Sequence, residues 1–532
     1  MITDEQFDAL VSASDALAKT EPERYLRKMR GLLLLGDLYL AALTMVLLGL
    51  QIGALVLIIR ELYSTGAPSW QTLLALPVLL WALWFLRKLF LMPSGRKAST
   101  GIPLRKTEAP ELFALIETFS AQADTLPVHR VLLTDEFHAS LEQFPRLGVF
   151  GWHENTLLLG LPLFQCLTSE QFKALLAHEL GHMSRKGHCQ LARQGHRQML
   201  RWTGLAQALD DDPHVWLFKH FLEWFIDYTG ACAGPLVRMS EYEADTVSVR
   251  LVSHEAAAEA LSVSNVIDRY LQEYYWPQVR RLAQKEPEPV APYQMLPEQF
   301  TAQVTTAWAE HWLAVDMQWQ TSLTETHPSL QERLKALQAT PRIVLAKVGQ
   351  NAEGLLGTAL QTVTAQLDKA WQDGIRSWWG EQYQRRQQNL QQFAALNARA
   401  AAGEELSVEE AYQRAQLTWS IAYNEKETTK QLLALYFRDK ENALASFGLG
   451  AWLLHRGDAP EDDEYDDDDG YALLEQAMRL DEGFTARCCE LLRDYCQENG
   501  REETAQNWEK KLQARLQLEE AAKPGGNEAD QR

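Results

Sequence analysis

The chain predicts a mainly α-helical protein with a small β-sheet, an N-terminal transmembrane helical hairpin and a repeat-like helical C-terminal region. Three observations carry that reading: two long uncharged runs before Arg87, helix-forming segments interrupted by short apolar runs from Thr107 to Pro328, and a helical pattern with few breakers beyond Pro341. The 532 residues are too many for one hydrophobic core. A hydrophobic content of 46% excludes wholesale disorder. The formal charge of −20 argues against a nucleic-acid partner, because phosphate recognition needs a basic surface. The six cysteines, at 166, 189, 232, 488, 489 and 496, contain no C-x-x-C pair, so they read as reduced thiols facing a cytosol-like compartment.

The first run, Leu38 to Ile59, holds 22 residues without a charge, and the second, Trp70 to Leu86, holds 17. Both are long enough to reach across a bilayer core. The first begins too late for a cleavable signal, so it reads as a retained anchor. Gly66-Ala67-Pro68 between them is too short for a domain, which predicts a two-span hairpin over 31–92. Lys19, Arg24, Arg27, Lys28 and Arg30 precede the hairpin; Arg87, Lys88, Arg96, Lys97, Arg105 and Lys106 follow it, and the loop offers only Arg60. That asymmetry predicts a cytoplasmic N-terminal segment (1–30) and a cytoplasmic remainder.

Within 93–340, Val131-Leu132-Leu133 and Leu157-Leu158-Leu159 are bounded by turn formers and read as strands among helices. A helical linker domain is expected over 341–436. In 437–518, apolar and small residues recur in two imperfect units that resemble tetratricopeptide helix pairs, a type of module that binds partner segments. The acidic run 461–469 interrupts the first unit. A calcium loop in register with Gly470 would begin at Tyr465 and end at Gln476, both wrong ligands, so a solvated insertion is expected. The tail, 519–532, reads as disordered.

The chemical signal is His178-Glu179-Leu180-Gly181-His182, on a helix opened by a capping box of Thr168 with Gln171. Spacing of i and i+4 puts both imidazoles on one helical face, where two nitrogens can reach one ion. Glu179 can then face the open coordination position and take a proton from water. A third ligand is needed. Glu241 in Ser240-Glu241-Tyr242-Glu243-Ala244-Asp245 is favoured over Glu243, because only Glu241 pairs at i+4 with Asp245, which could orient a ligating histidine. Two histidines and one glutamate leave one position open, the catalytic rather than the structural pattern for one Zn²⁺ per chain.

The hairpin, the His178–His182 motif, Glu241-Tyr242-Glu243-Ala244-Asp245 and Thr326-His327-Pro328-Ser329-Leu330-Gln331-Glu332-Arg333-Leu334 together resemble the HtpX and CAAX-prenyl-endopeptidase family of membrane-associated gluzincin peptidases. The resemblance covers roughly Leu104 to Leu337. It implies a gluzincin fold, zinc on His178, His182 and Glu241, Glu179 as general base and Asp245 behind the ligands. It further implies His327 near the scissile carbonyl and Arg333 near the ligand carboxylate. Phe137-His138-Ala139-Ser140-Leu141 stands where such relatives carry a substrate-pairing edge strand, so His138, Ala139 and Ser140 are expected to bind substrate. Val215 to Val237 is broken by Lys219, His220, Glu223 and Asp227, so no further span is expected and prenylated substrates fit poorly. The whole reads as a zinc endopeptidase of a bacterial inner membrane, acting on peptide or protein substrates, with a protein partner at the C-terminal helices. Its rivals are a scaffold with a residual zinc site and a chaperone-like factor.

Overall fold

The computed structural model describes residues 3–65, 70–90, 100–146, 152–209, 216–323, 325–456 and 467–521. The chain divides into two compact units: Met1–Leu282 with Glu288–Arg376, and Ala283–Pro287 with Ser377–Arg532. All six cysteines are buried and free.

The first unit opens with helices α1 (Asp4–Thr20), α2 (Pro22–Thr65) and α3 (Trp70–Phe90). Over Pro22–Ser64, α2 is the one helix among the described residues long and apolar enough to cross a membrane. It exposes large apolar side chains such as Leu38, Met45 and Ile52 along its length. Helix α3 packs against it and carries Pro77 inside. The connecting Gly66-Ala67-Pro68 lies outside the described residues.

Strand β1 (Ile102–Pro103), helix α4 (Pro110–Gln122) and strands β2 (Arg130–Thr134), β3 (Ala139–Pro145) and β4 (His153–Gly160) follow. The sheet order is β1-β2-β4-β3; only β2 and β4 are parallel, with Leu132 opposite Leu158. Two apolar runs therefore form the buried centre, as expected for strands covered on both faces. β3 pairs antiparallel with β4 and forms the sheet edge, with Ala139 opposite Leu159 and Pro145 opposite His153.

Helices α5 (Leu161–Cys166), α6 (Ser169–Gly181), α7 (Gly187–Ala208), α8 (Trp216–Leu251) and α9 (His254–Arg269) come next, then a π-turn at Tyr270–Tyr275. Short helices α10 (Trp276–Arg281), α11 (Pro292–Gln303), α12 (Thr306–Asp316) and α13 (Leu330–Leu337) complete the unit, with the start of α14 (Ala359–Ala401). One core joins Leu133, Leu157, Phe164, Phe172, Val266 and Phe300 under α6. A second joins Leu40 and Leu47 of α2, Phe85 of α3, Trp202 of α7 and Phe225 of α8. Helices α2 and α3 thus share a core with the domain that follows.

Helix α8 contains Pro235, which cannot donate into the helical ladder. Next to it the Tyr25 hydroxyl donates to Cys232 O at 2.8 Å and accepts from the Leu236 N–H at 2.9 Å. A side chain from α2 is thereby inserted between two backbone groups one turn apart, a recognised cause of helix kinking.

The second unit holds the remainder of α14 with α15 (Val408–Ala422), α16 (Glu425–Arg438), α17 (Ala443–Arg456), α18 (Asp467–Leu480), α19 (Thr485–Glu498) and α20 (Glu502–Ala521). Successive helices pack in pairs: α15 on α16, α17 on α18, α19 on α20. Leu449, Leu453 and Leu473 are buried in one cluster, and Leu474, Cys488, Leu492 and Trp508 in another. The indole of Trp508 donates to the Tyr471 hydroxyl at 2.7 Å. Most of the acidic run, 461–466, and residues 522–532 of the expected tail lie outside the described residues.

Candidate metal centre

Helix α6 starts with the capping box read from the sequence. Thr168 Oγ1 accepts from the Gln171 N–H at 3.3 Å, and the Thr168 N–H donates to Gln171 Oε1 at 3.0 Å. The helix then presents His178 and His182 from its last turn. Gly181, between them, lies against α8: a Cβ there would stand 3.1 Å from Ala244 Cα and 3.2 Å from Val247 Cβ. The missing side chain lets the two helices approach, and Glu241 of α8 comes over the histidine pair.

His178, His182 and Glu241 could hold one metal ion. His178 Nε2 and His182 Nε2 are 3.2 Å apart, and they lie 3.5 and 3.3 Å from Glu241 Oε2 and Oε1. Three N/O donors at about 2.0–2.1 Å from a tetrahedral Zn²⁺ would stand about 3.3–3.4 Å from one another. The donor set therefore fits such an ion in identity and in spacing.

Asp245, one turn beyond Glu241, stands with Oδ1 2.9 Å from His178 Nδ1, which leaves Nε2 turned to the centre. Arg333 of α13 forks onto the same carboxylate, Nε at 2.8 Å from Oδ2 and Nη2 at 2.5 Å from Oδ1. Its Nη1 is 3.7 Å from Glu241 Oε2. The resemblance led to Arg333 beside the ligand carboxylate; here its closest carboxylate is that of Asp245.

The charges interlock. Burial raises both Asp245 and Glu241, but Arg333 outweighs it at Asp245, held down at about 2, and His178 and His327 outweigh it at Glu241, held well below the carboxylate range. Burial would lower His178, yet hydrogen bonding to Asp245 and Glu241 carries it up to about 9. His182 is pushed down to about 4 by burial and by the cationic His178. Burial pushes Glu179 up to about 7, a range suited to accepting and returning a proton near neutral pH.

His327 approaches with Nδ1 3.4 Å from Glu241 Oε1, while its side chain is 70% exposed. It thus stands beside the Glu241 carboxylate. Glu243, the alternative third ligand, is directed away from the triad: its Oε2 accepts from the His188 N–H at 2.5 Å and the Cys189 N–H at 3.0 Å, capping α7. Gly187, with φ +73°, makes room for that carboxylate, since a Cβ would overlap it.

The centre opens into a cavity of about 1620 Å³. Its walls include His138, Ala139 and Ser140, and β3 lines it as far as Pro145. Arg193, Arg197 and Arg201 of α7 also line it. Reading the sequence missed these arginines, although their i, i+4, i+8 spacing is visible there.

No curated protein matches the chain. The family model described as Peptidase family M48 matches residues 149–341, a span that contains the histidine motif, Glu241, Asp245, His327 and Arg333. That match supports a metallopeptidase identity for this part of the chain.

Proposed function

We propose that this chain is a membrane-anchored zinc metalloendopeptidase of protein quality control or processing, with its active face in the cytoplasm of a bacterial cell. The observation that carries the reading is the convergence of two imidazole nitrogens 3.2 Å apart on the Glu241 carboxylate, each within 3.5 Å of one of its oxygens, with Glu179 on the adjacent cavity wall. When bound, zinc supplies a Lewis acid for the peptide carbonyl and lowers the pKa of a water. Glu179 takes that water's proton and returns it to the leaving amine. His327 is exposed enough to turn from Glu241 and donate to the developing oxyanion. Asp245 and Arg333 hold His178 and Glu241 in place.

The likeness to HtpX and the CAAX-prenyl endopeptidases supports the same assignment. The exposed apolar length of α2 supports an anchor, and the basic flanks support the two-span, cytoplasm-facing topology. The paired helices of the second unit suit a partner-binding region of the tetratricopeptide kind. A scaffold with a residual zinc site is not favoured: such a role would not require Glu179 or a buried carboxylate oriented by Asp245 and Arg333. The test is a proteome-wide comparison of protein termini in cells carrying the wild type or Glu179→Gln. New termini that vanish with the variant support a peptidase; identical sets of termini overturn it.

A further inference from the structure

Between the end of α12 at Asp316 and the start of α13 at Leu330 the described residues carry no helix or strand, yet Trp319, Glu325 and His327 line the cavity. Local bonds shape this stretch. The Glu325 carboxylate accepts from the Ser322 N–H at 2.8 Å and from the Trp319 indole at 3.3 Å, and the Ser329 N–H donates to Thr321 Oγ1 at 2.7 Å. None of these three bonds reaches α8, so none sets the stretch over the metal centre. His327 stands at that centre beside Glu241, but with its side chain mostly exposed its own packing does not fix it there.

A bond that does reach α8 is made by Arg238, three residues before Glu241 on that helix. Its Nη1 donates to the Glu325 carbonyl at 2.9 Å, two residues before His327. Its Nη2 lies 2.6 Å from Asp15 Oδ1 of α1, and the two side chains are only 12% and 11% exposed. The guanidinium is a rigid planar fork, so one arm held on Asp15 aims the other at the Glu325 carbonyl. Such a pair is hard to part, because parting it leaves a charge out of reach of water.

Helix α1 is docked so that this contact is made. It packs against α8, and its two most deeply buried residues are the polar Ser14 and Asp15. Ser14 Oγ donates to Cys232 Sγ at 3.4 Å, and the second Asp15 oxygen meets Lys19 at 2.8 Å. A helix that docked by packing alone would bury an apolar stripe at these positions. The chain of contacts therefore runs from Asp15 through Arg238 to the Glu325 carbonyl, and along two residues of backbone to His327. It joins the helix before the first apolar run to the metal centre.

We propose that Arg238 is a positioning residue for His327: held by Asp15, it fixes the backbone at Glu325 and so keeps His327 over the metal centre. The role in turnover rests on the peptidase reading above, and two readouts separate them. Both use zinc-loaded, full-length protein in phosphatidylcholine nanodiscs. The first is amide hydrogen exchange over 325–330, which needs no cleavage. The second is kcat and KM for an unstructured peptide. Arg238→Gln should speed exchange over 325–330 and lower kcat about 10–100-fold, the scale of a misplaced group, with KM and zinc content nearly unchanged. Arg238→Lys should recover part of both effects, and Asp15→Asn should show both in weaker form. In a His327→Ala background Arg238→Gln should lower kcat no further, since a shared role is not additive. Should Arg238→Gln lose its zinc, the paired Asp15→Asn/Arg238→Gln variant leaves neither buried charge without its partner, and Arg238→Lys keeps the charge; the same results are expected of them, weaker for the lysine. Unchanged exchange in the Arg238 variants overturns the proposal, whether or not the protein cleaves anything. So does a rise in KM at constant kcat, which assigns Arg238 to substrate binding, and so does an equal kcat loss with and without His327. Unchanged exchange in Asp15→Asn removes α1 from the account. Full kcat in His327→Ala sinks the positioning role and leaves a peptidase built on Glu179. Faster exchange in the variants, with no cleavage by the zinc-loaded wild type, keeps the tether and sinks the peptidase.

Discussion

Gly181 and Ala244 are in contact across α6 and α8, with room for no side chain on Gly181: a Cβ there would stand 3.1 Å from Ala244 Cα. This contact sets the distance between the histidine motif and Glu241. Alanine is about 1 kcal/mol better than glycine inside a helix, so local propensity favours Gly181→Ala. The packing opposes it. We predict that Gly181→Ala weakens zinc binding and that Gly181→Leu abolishes it, as measured by competition with a chromogenic chelator. Unchanged affinity in the leucine variant would show that the helix spacing does not control the site.

In the proposed site Asp245 and Arg333 would act on the metal through His178, to which Asp245 is bonded. Asp245→Asn should lower zinc affinity about 10–100-fold, the usual cost of losing the group that orients a ligating histidine. Arg333→Lys replaces a fork that reaches both Asp245 oxygens with a point charge, and should cost less than Asp245→Asn. Chelator competition on both variants gives the order, and the reverse order contradicts the roles assigned here.

Glu241 and Glu243 are two residues apart and chemically identical, yet α8 turns them in different directions. Glu241→Gln should lose zinc. Glu243→Gln should retain it and show its effect in α7, where capping substitutions cost about 0.5–2 kcal/mol. Metal analysis and thermal unfolding of the two variants separate the effects; loss of zinc from Glu243→Gln would reverse the assignment.

Tyr25 joins α2 to α8 beside Pro235. Tyr25→Phe removes the hydroxyl between Cys232 O and the Leu236 N–H, leaving buried backbone groups underpaired at a cost of about 1–3 kcal/mol. The unfolding midpoint in detergent should fall while zinc stoichiometry stays the same. An unchanged midpoint would mean that the helix closes its own ladder there.

The parts of the molecule readable in the sequence are those governed by local periodicity. The capping box of α6, the i and i+4 histidines and the strands at Val131–Leu133 and Leu157–Leu159 depend on neighbours within a few residues. Asp245 was readable from its i+4 offset to Glu241. The choice between Glu241 and Glu243 rested on that same offset, because a sequence does not show which way a long helix faces. Arg193, Arg197 and Arg201 have helical spacing, but an amphipathic basic stripe reads as a solvated face, and only the fold shows that these three line the cavity. Tyr25 gave no signal, since its partners lie more than two hundred residues away. For His327 the resemblance indicated a place near the scissile carbonyl; its contact with Glu241 depends on how the 325–330 segment folds back over α8.

The central claim is that one ion sits on His178, His182 and Glu241 and that Glu179 performs the proton transfer. Metal content and cleavage of an unstructured peptide, measured side by side on purified wild type, Glu179→Gln and the His178→Ala/His182→Ala double variant, test it most directly. The account predicts one zinc per chain with cleavage in the wild type, one zinc without cleavage in Glu179→Gln, and neither zinc nor cleavage in the double variant. Full zinc occupancy in the double variant, or undiminished cleavage by Glu179→Gln, would contradict it.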